Sequence, residues 1–271
     1  MGALLGPIGG LERVASPTSE PVEFEPVFTF SKALSGRVTA QRGPRPPRVW
    51  SCSEGTVRPE DAAILEWLAA GARYDQSQGY VWYSSYSLVT NMLTPAEGFM
   101  KDGTWTGGAE GGAGNAEDAR YLASETGGTA SVFELARILP IPAQSPVAVS
   151  AYISTHPTQT ARLEVTELDP EGATVGTPHV STVPADMHAH RGVVTFTSSV
   201  RTVALRIRVV NALMRTMPAV TLTREVQPWA SGRGCRHAVV TISGEDPQLA
   251  FETPTNYGRR AGRSFTIHEL G

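Results

Sequence analysis

The chain has 271 residues, of which 41% are hydrophobic and 18% are charged, and its formal net charge is −3. This balance is typical of a globular protein, and the length suffices for two domains that each bury a core. A slightly acidic chain lacks the basic face that nucleic-acid binding requires, and no run of about 18 apolar residues is available for a membrane span. We therefore expect neither nucleic-acid binding nor membrane insertion.

The first twenty residues contain apolar side chains but no helix or strand pattern. The apolar residues stand among glycine, proline and serine, and the segment lacks the charged leader of a signal peptide. Such a segment cannot bury its side chains against itself. We therefore expect residues 1–20 to form an arm that docks on a neighbouring subunit, with four residues in the interface: Leu4, Leu5, Ile8 and Leu11.

Residues 21–90 predict several strands and one helix. Apolar and polar residues alternate with the period of a strand in 22–30, 34–41 and 48–54, and the last segment places Trp50 and Cys52 on one face. Residues 59–70 predict a helix, because Pro59 suits its first turn and Gly71 suits its end. Its apolar stripe consists of Ile64, Leu65 and Leu68, with Trp67 at the edge.

A proline-rich connector at residues 43–48 accompanies a run of basic residues. Prolines fix φ and remove backbone donors, so the connector is stiff and extended. Arginine is enriched at protein interfaces because its planar head carries several donors. We therefore expect an intersubunit contact through this stripe: Arg37, Arg42, Arg45 and Arg48.

Residues 91–224 predict a separate β-sandwich. Six strand-like segments follow one another with Gly, Pro and Asp turns between them, which is the pattern of an all-β sandwich: 130–135, 147–154, 161–168, 192–197, 203–210 and 219–223. Residues 225–271 add strands at 235–242 and 263–269 but are too short to fold alone. We therefore expect a mainly β protein. Residues 21–90 and 225–271 would form one discontinuous β-sandwich with a packed helix, and residues 91–224 an inserted jelly roll.

No familiar catalytic or metal-binding motif occurs. His188 and His190 lack a Cys or acidic neighbour at ligand spacing, and there is no nucleophile elbow, phosphate loop or zinc-protease helix. Four carboxylates cluster near a predicted turn, where a solvated hairpin edge explains them with fewest assumptions: Glu164, Glu167, Asp169 and Glu171. We expect no enzyme activity and no cofactor; a structural calcium ion is the alternative left open. Cys52 and Cys235 are expected to be reduced thiols.

A series of motifs runs through the inserted segment. Asn91-Met-Leu93 opens it, Trp105 follows in a glycine-rich stretch, and strand motifs continue at 147–154, 161–172, 193–197, 203–209 and 219–223. This progression resembles the jelly-roll carbohydrate-binding modules attached to glycoside hydrolases. The resemblance implies a glycan site built on aromatic rings, for which Trp105, Tyr121 and Tyr152 are the candidates. Phe133 and Phe196 fall at apolar strand positions and are expected in the core.

Short motifs also mark the two flanking segments: Leu34-Ser-Gly-Arg37, residues 43–50, Thr90–Pro95, Gly232–Cys235 and Ser264–Glu269. They resemble minor tail proteins of long-tailed phages that infect actinobacteria. The resemblance implies a structural protein of the virion tail or tail tip, related to distal tail proteins and assembled in the host cytoplasm. Its partners would be copies of itself in a ring, other tail proteins and a host-surface glycan. A glycan-binding adhesin is the alternative, and a glycan-cleaving tail enzyme is a third.

Overall fold

The computed structural model describes most of the chain. The described residues are 2–14, 22–24, 28–32, 38–42, 48–57, 59–72, 79–100, 103–107, 109–111, 121–123, 132–154, 160–185, 188–210, 213–215, 217–250 and 260–269. Strands dominate, so the protein is mainly β, as the sequence predicts. The chain forms two compact units. Unit 1 comprises residues 1–7, 12–82 and 235–271, and unit 2 comprises residues 8–11 and 83–234.

The helices and strands follow one another along the chain in this order. The N-terminal third contains β1 (Ala3–Gly6), β2 (Glu12–Val14), β3 (Val22–Phe24), β4 (Phe28–Lys32), β5 (Val38–Arg42), β6 (Arg48–Val57), α1 (Pro59–Ala69), β7 (Tyr80–Tyr83), α2 (Ser85–Thr90) and α3 (Pro95–Gly98). The middle of the chain contains β8 (Trp105–Thr106), β9 (Ala109–Gly111), β10 (Tyr121–Ala123), β11 (Val132–Leu135), β12 (Leu139–Pro140), β13 (Pro146–Ser154) and β14 (Ala161–Leu168). The C-terminal region contains β15 (Thr174–Val183), β16 (Ala189–Thr197), β17 (Ala204–Val210), β18 (Leu213–Arg215), β19 (Ala219–Thr221), β20 (Cys235–Ala250) and β21 (Arg260–Glu269).

Unit 1 is built on a seven-stranded sheet that draws strands from both ends of the chain. Its strand order is β2-β1-β7-β20-β21-β6-β3, and β4 pairs with β5 in a separate two-stranded sheet. Cys235 at the start of β20 lies opposite Trp82 of β7, and β21 pairs with β6 over most of its length. The sheet therefore joins the N-terminal and C-terminal segments into one folded unit.

Helix α1 covers a face of this sheet. Its Leu65 and Leu68 are fully buried in a cluster with Trp50, Trp82 and Phe265. The rings of Trp82 and Phe265 meet edge to face with centroids 6.1 Å apart. The hydroxyl of Tyr80 donates to the carbonyl of Leu68 at 3.1 Å, which ties β7 to the helix. The predicted stripe thus forms the buried side of α1.

Residues 3–6 and 12–14 belong to this sheet, which corrects the prediction that this segment needs a neighbouring subunit to bury its side chains. β1 and β2 form an antiparallel hairpin, and β1 lies between β2 and β7. Leu4 and Leu5 are 1% and 0% exposed within the chain's own fold. Consecutive residues of a strand point to opposite faces, and here both faces are covered, so the alternating pattern that reveals a half-buried strand is missing.

Unit 2 contains two six-stranded antiparallel sheets. The front sheet has the order β16-β13-β18-β10-β9, with β19 also paired to β13, and the back sheet has the order β15-β14-β17-β11-β8, with β12 also paired to β17. Gly192 of the front sheet shows how closely they pack. A Cβ atom there would lie 3.0 Å from Ile153 of its own sheet, and 3.4 and 3.5 Å from Leu163 and Val183 of the back sheet. Interior side chains of both sheets meet at this point, as in a β-sandwich.

A buried asparagine joins three segments at the edge of unit 2. Asn91 follows α2, and its Nδ2 donates to the carbonyls of Pro218 and Ala230 at 3.1 and 3.0 Å. Its Oδ1 accepts from the backbone N–H groups of Leu93 and Val220 at 3.1 and 3.2 Å. All four bonds of the amide are therefore made inside the fold. In the described portion of the chain, no helix has the length and apolar character needed to cross a bilayer.

Candidate functional site: the outer face of the front sheet

The outer face of the front sheet presents an aromatic ring beside an arginine. Along β13, Val149, Ala151 and Ile153 are buried. Ser150 and Tyr152 alternate with them and lie on the opposite face, because successive strand residues point to opposite sides. Tyr152 is half-buried, and Ser150 is only 2% exposed. Register places Tyr152 opposite Arg191 of β16 and Ser150 opposite Val193. Tyr152, Arg191, Ser150 and Val193 thus share the outer face.

The Arg191 guanidinium is held in place by neutral acceptors. Its Nη2 donates to Ser150 Oγ at 3.2 Å and to the carbonyl of Gln227 at 2.5 Å. Its Cζ lies 6.0 Å from the centroid of the Tyr152 ring. Val193, with an exposed side chain, extends the face beyond the arginine. We call this group, Tyr152, Arg191, Ser150, Val193 and Gln227, the Tyr152–Arg191 surface.

This surface has the two features that carbohydrate recognition uses. An aromatic ring offers an apolar face against which a sugar ring packs, while its hydroxyl remains available for hydrogen bonds. The guanidinium adds charged N–H donors beside the ring. Nη2 is engaged by Ser150 and Gln227, so Nη1 is the terminal nitrogen without a described acceptor. The ring and the donors lie side by side on rigid, paired strands, so the arrangement is preorganised.

The three aromatic residues singled out in the sequence have different positions. Tyr152 lies on the Tyr152–Arg191 surface and is half-buried. Trp105 is only 5% exposed, and its Nε1 donates to the carbonyl of Glu97 at 3.0 Å. Burial removes Trp105 from the candidate glycan contacts, which corrects the sequence interpretation. The backbone of Tyr121 lies in β10 opposite Arg215 of β18, and its side chain is outside the described portion of the structure.

The two phenylalanines expected in the core also differ. Phe133 is fully buried, as predicted. Phe196 is half-buried and stacks on the ring of His179 with centroids 3.8 Å apart. Sequence reasoning missed Arg191 and Gln227 altogether. Gln227 is 36 residues away from Arg191 along the chain, and no local pattern signals that the two meet.

The proposed interface residues are also dispersed. Leu4 and Leu5 are core residues, whereas Ile8 is 50% exposed and Leu11 is half-buried. Arg48 is 4% exposed and pairs with Glu269, so it belongs to the interior of unit 1 and not to an exposed stripe. The backbone of Arg42 ends β5, while its side chain lies outside the described atoms. Arg37 and Arg45 lie outside the described residues.

Two of the carboxylates near the predicted turn, Glu167 and Asp169, form hydrogen bonds with the 198–202 segment. Glu167 accepts from the hydroxyl of Thr202 and from the N–H of Ser199 at 2.7 Å, and it lies 2.9 Å from His179 Nε2. Burial alone would raise the pKa of Glu167. The hydrogen bonds from Thr202, His179 and Ser199 outweigh burial, so its pKa lies below the ordinary value. Glu167 is therefore a structural acceptor in this state.

Asp169 has a comparable structural role in the same turn. Its Oδ1 accepts from the N–H of Ala173 at 2.8 Å, and its Oδ2 accepts from Arg201 Nη2 at 3.0 Å. Glu164 pairs with Arg162 at 3.4 Å, and Glu171 is exposed. Among the residues that the structure describes, no group of three or more His, Cys, Asp or Glu side chains is arranged to hold a metal ion. Cys52 and Cys235 are both buried, and neither forms a disulfide.

No protein-family model matches the sequence, and no curated protein sequence matches it. Solved structures with a similar backbone include the enzymatically active domain of bacteriophage CBA120 tailspike protein 4. It has a TM-score of 0.39 and 14% identity, and the match covers 52% of this chain and 22% of that one. They also include the N-terminal CBM22-1–GH10 modules of Clostridium thermocellum endo-1,4-β-D-xylanase 10B complexed with xylohexaose, with a TM-score of 0.37, 11% identity, and coverage of 53% and 30%.

A third similar structure is the C-terminal family 22 carbohydrate-binding module of the same xylanase. Its TM-score is 0.30 with 12% identity, and the match covers 47% of this chain and 91% of the module. The chain thus spans under a third of the first two proteins and most of the third. These similarities assign no family to the chain.

Proposed function

We propose that this chain is a structural component of a phage tail or tail tip, in which unit 1 assembles and unit 2 is displayed. The path of the chain supports this most directly. It leaves unit 1 at Trp82 and returns at Cys235, residues that lie opposite each other in paired strands. Both are fully buried. Because the two ends of the insert are adjacent in one sheet, unit 1 carries a whole second unit without separating its own strands.

The proposed role of unit 2 is to bind a glycan on the host surface. The Tyr152–Arg191 surface supports this role, since it combines a ring face with clustered donors. We propose no catalytic step. Glycoside hydrolysis needs two carboxylates free to act on the scissile bond, whereas Glu167 and Asp169 are engaged in holding a turn.

The flanking motifs that resemble minor tail proteins support the assembly role. A subunit of a ring needs a surface that contacts its neighbour, and Trp67 is the large apolar side chain that remains 49% exposed in the described portion of unit 1. Tryptophan is enriched in the cores of protein interfaces. We propose that α1 contributes Trp67 to the contact between copies.

Electron microscopy of labelled particles tests the tail assignment. An antibody against this chain should decorate one site on the tail of the phage that encodes it, in a ring of copies. Decoration of the capsid, or of no region of the particle, would exclude the proposal. Purified protein incubated with host cell-wall glycan should release no sugar; release that depends on Glu164 or Asp169 would establish the enzyme alternative.

The oligomeric state separates a tail ring from a free-standing adhesin. Light scattering on the full chain should show a closed oligomer that dissociates when Trp67 is replaced by Ser. Val200→Ser is the matched control, because Val200 is also an exposed apolar residue but lies in unit 2. A protein that stays monomeric at all concentrations and still binds glycan would favour the adhesin.

A further inference from the structure

Arg191 differs from the other arginines of similar burial. Four arginines are buried or half-buried and pair with a carboxylate within 4.0 Å: Arg48 with Glu269, Arg137 with Glu97, and both Arg206 and Arg208 with Glu134. Arg191 is half-buried as well. Its only described hydrogen-bond acceptors are the neutral oxygens of Ser150 and Gln227. Among the described arginine side chains that are not exposed, Arg191 alone has no carboxylate partner.

The charge of Arg191 is therefore only partly compensated. Its Nε is buried and has no hydrogen-bond partner in the described portion of the chain. Glu225 lies two residues before Gln227, but its side chain is exposed and forms no ion pair with Arg191. Removing a cation from water is costly unless an anion or strong acceptors replace the water. A partly desolvated guanidinium without a counter-ion is thus poised to bind an anion.

The neighbouring ring specifies what the anion is attached to. The Arg191 guanidinium lies over the Tyr152 ring at 6.0 Å, so a group that contacts the arginine also lies next to the ring. Nη2 already donates to Ser150 and Gln227, so an anion would accept from Nη1. Hydrogen bonds between a guanidinium and a carboxylate or phosphate are about twice as strong as neutral hydrogen bonds. A sugar ring that carries such a group would place the anion on Arg191 and its apolar face against Tyr152.

We propose that the Tyr152–Arg191 surface binds an acidic glycan, in which a carboxylate or phosphate is attached to a sugar ring, in preference to a neutral one. This inference rests on the proposed glycan-binding function and names the ligand class of the same site. The anion supplies a counter-charge that Arg191 lacks among the described residues. Neutral sugars would retain the contact with Tyr152 but leave the Arg191 charge uncompensated.

Two ligands that differ at one group, an ionised carboxylate and its neutral methyl ester, test the proposal on the full chain. The probes are an oligogalacturonate and its methyl ester, with affinities measured by calorimetry. The acid should bind at least about tenfold more tightly than the ester, and its affinity should fall as salt is raised. Glucose 6-phosphate, compared with free glucose, forms a second arm that separates phosphate from carboxylate as the preferred anion.

Two matched variants locate the effect. Arg191→Gln should lower the affinity for the acid to that for the ester. Arg162→Gln removes the same charge from an exposed arginine of β14 in the back sheet and should change neither affinity. If Arg191→Gln does not fold, the comparison of acid and ester on the unmodified chain still decides the question.

The outcomes distinguish this inference from the proposed function. Equal binding of acid and ester, abolished by Tyr152→Ala, would overturn the preference for acidic glycans and leave glycan binding intact. Unchanged affinity for the acid in Arg191→Gln would also overturn it. Binding of none of the probes would overturn both the inference and the proposed glycan-binding role of unit 2.

Discussion

Arg48 and Glu269 join the two ends of the chain through a bidentate ion pair. Arg48 Nη2 donates to Glu269 Oε1 at 2.7 Å and its Nε donates to Oε2 at 2.9 Å, while the Arg48 backbone N–H donates to Oε2 at 3.1 Å. The residues stand 221 positions apart and lie in the neighbouring strands β6 and β21. The guanidinium also lies 4.7 Å from the centroid of the Trp50 ring. One carboxylate thus fixes the start of β6 against the end of β21.

Breaking this pair should destabilise unit 1. Replacing Glu269 by Gln leaves the buried Arg48 charge without its partner, so we expect a loss of about 3 kcal/mol in the free energy of unfolding. Denaturant unfolding followed by tryptophan fluorescence measures it. Arg206→Gln, which breaks a pair with Glu134 whose side chains are 38% and 36% exposed, should cost under about 1 kcal/mol. A loss in Glu269→Gln no larger than in Arg206→Gln would contradict a structural role for the pair.

Asn91 should be essential for the stability of unit 2. In Asn91→Leu the new side chain has a similar volume but lacks the two Nδ2 donors and the Oδ1 acceptor. Four backbone groups inside the fold then lose their hydrogen bonds. Each unsatisfied buried group costs about 1–3 kcal/mol, so we expect unit 2 to melt well below unit 1 in calorimetry. Thr90→Ala, next in sequence, removes a single bond to the Tyr86 carbonyl and should change little. Coincident melting of both units in Asn91→Leu would show that the asparagine does not act on unit 2 alone.

The lowered pKa of Glu167 predicts a loss of stability in acid. Since its folded pKa lies below the unfolded value of about 4.3, the unfolded chain binds this proton more readily. The ionised Glu167 carboxylate stabilises the folded state fully above its unfolded pKa. This stabilisation is lost as the pH falls through its folded pKa. Glu167→Gln should therefore be less stable than the unmodified chain at neutral pH, and the difference should shrink in acid. Glu171→Gln, at an exposed position, should show no such convergence.

The buried thiols offer a probe of unit 1. Cys52 and Cys235 are thiols outside any disulfide and lie in its core cluster. A thiol reagent reaches them only when this unit opens, because reaction requires an accessible thiolate. Labelling should be slow in the native protein and faster in Glu269→Gln. Rapid labelling of the native protein would contradict the burial of both residues.

What the sequence predicts correctly depends on local periodicity. Residues 59–70 predict the helix that the structure shows as α1, and the alternation around Trp50 and Cys52 gives the correct buried face of β6. The hairpin of β1 and β2 is missed because its buried residues are consecutive. Trp105 is misjudged because nothing local shows whether an aromatic strand residue faces the core.

The candidate site escapes prediction for a related reason. Tyr152 is identifiable as an aromatic residue in a strand, but its partner Arg191 meets it only through the pairing of β13 with β16. Gln227 comes from a segment without regular structure. When the residues of a site come from segments that are distant in the sequence, no periodic pattern in the sequence reveals that they meet. That Arg191 has no carboxylate partner among the described side chains is visible only in the folded structure.

Unit 1 should fold without unit 2. Trp82 and Cys235 lie opposite each other in the paired strands β7 and β20. The chain therefore enters the insert from β7 and re-enters unit 1 in the neighbouring strand β20. Deleting residues 84–233 and joining Tyr83 to Gly234 through Asn-Gly would connect these two strands in a tight hairpin, a turn that suits antiparallel strands. The shortened chain should unfold cooperatively, retain buried thiols and form the same oligomer in light scattering. It should no longer bind glycan. A shortened chain that aggregates or exposes both thiols would show that unit 1 depends on unit 2 and would contradict the scaffold-and-insert organisation.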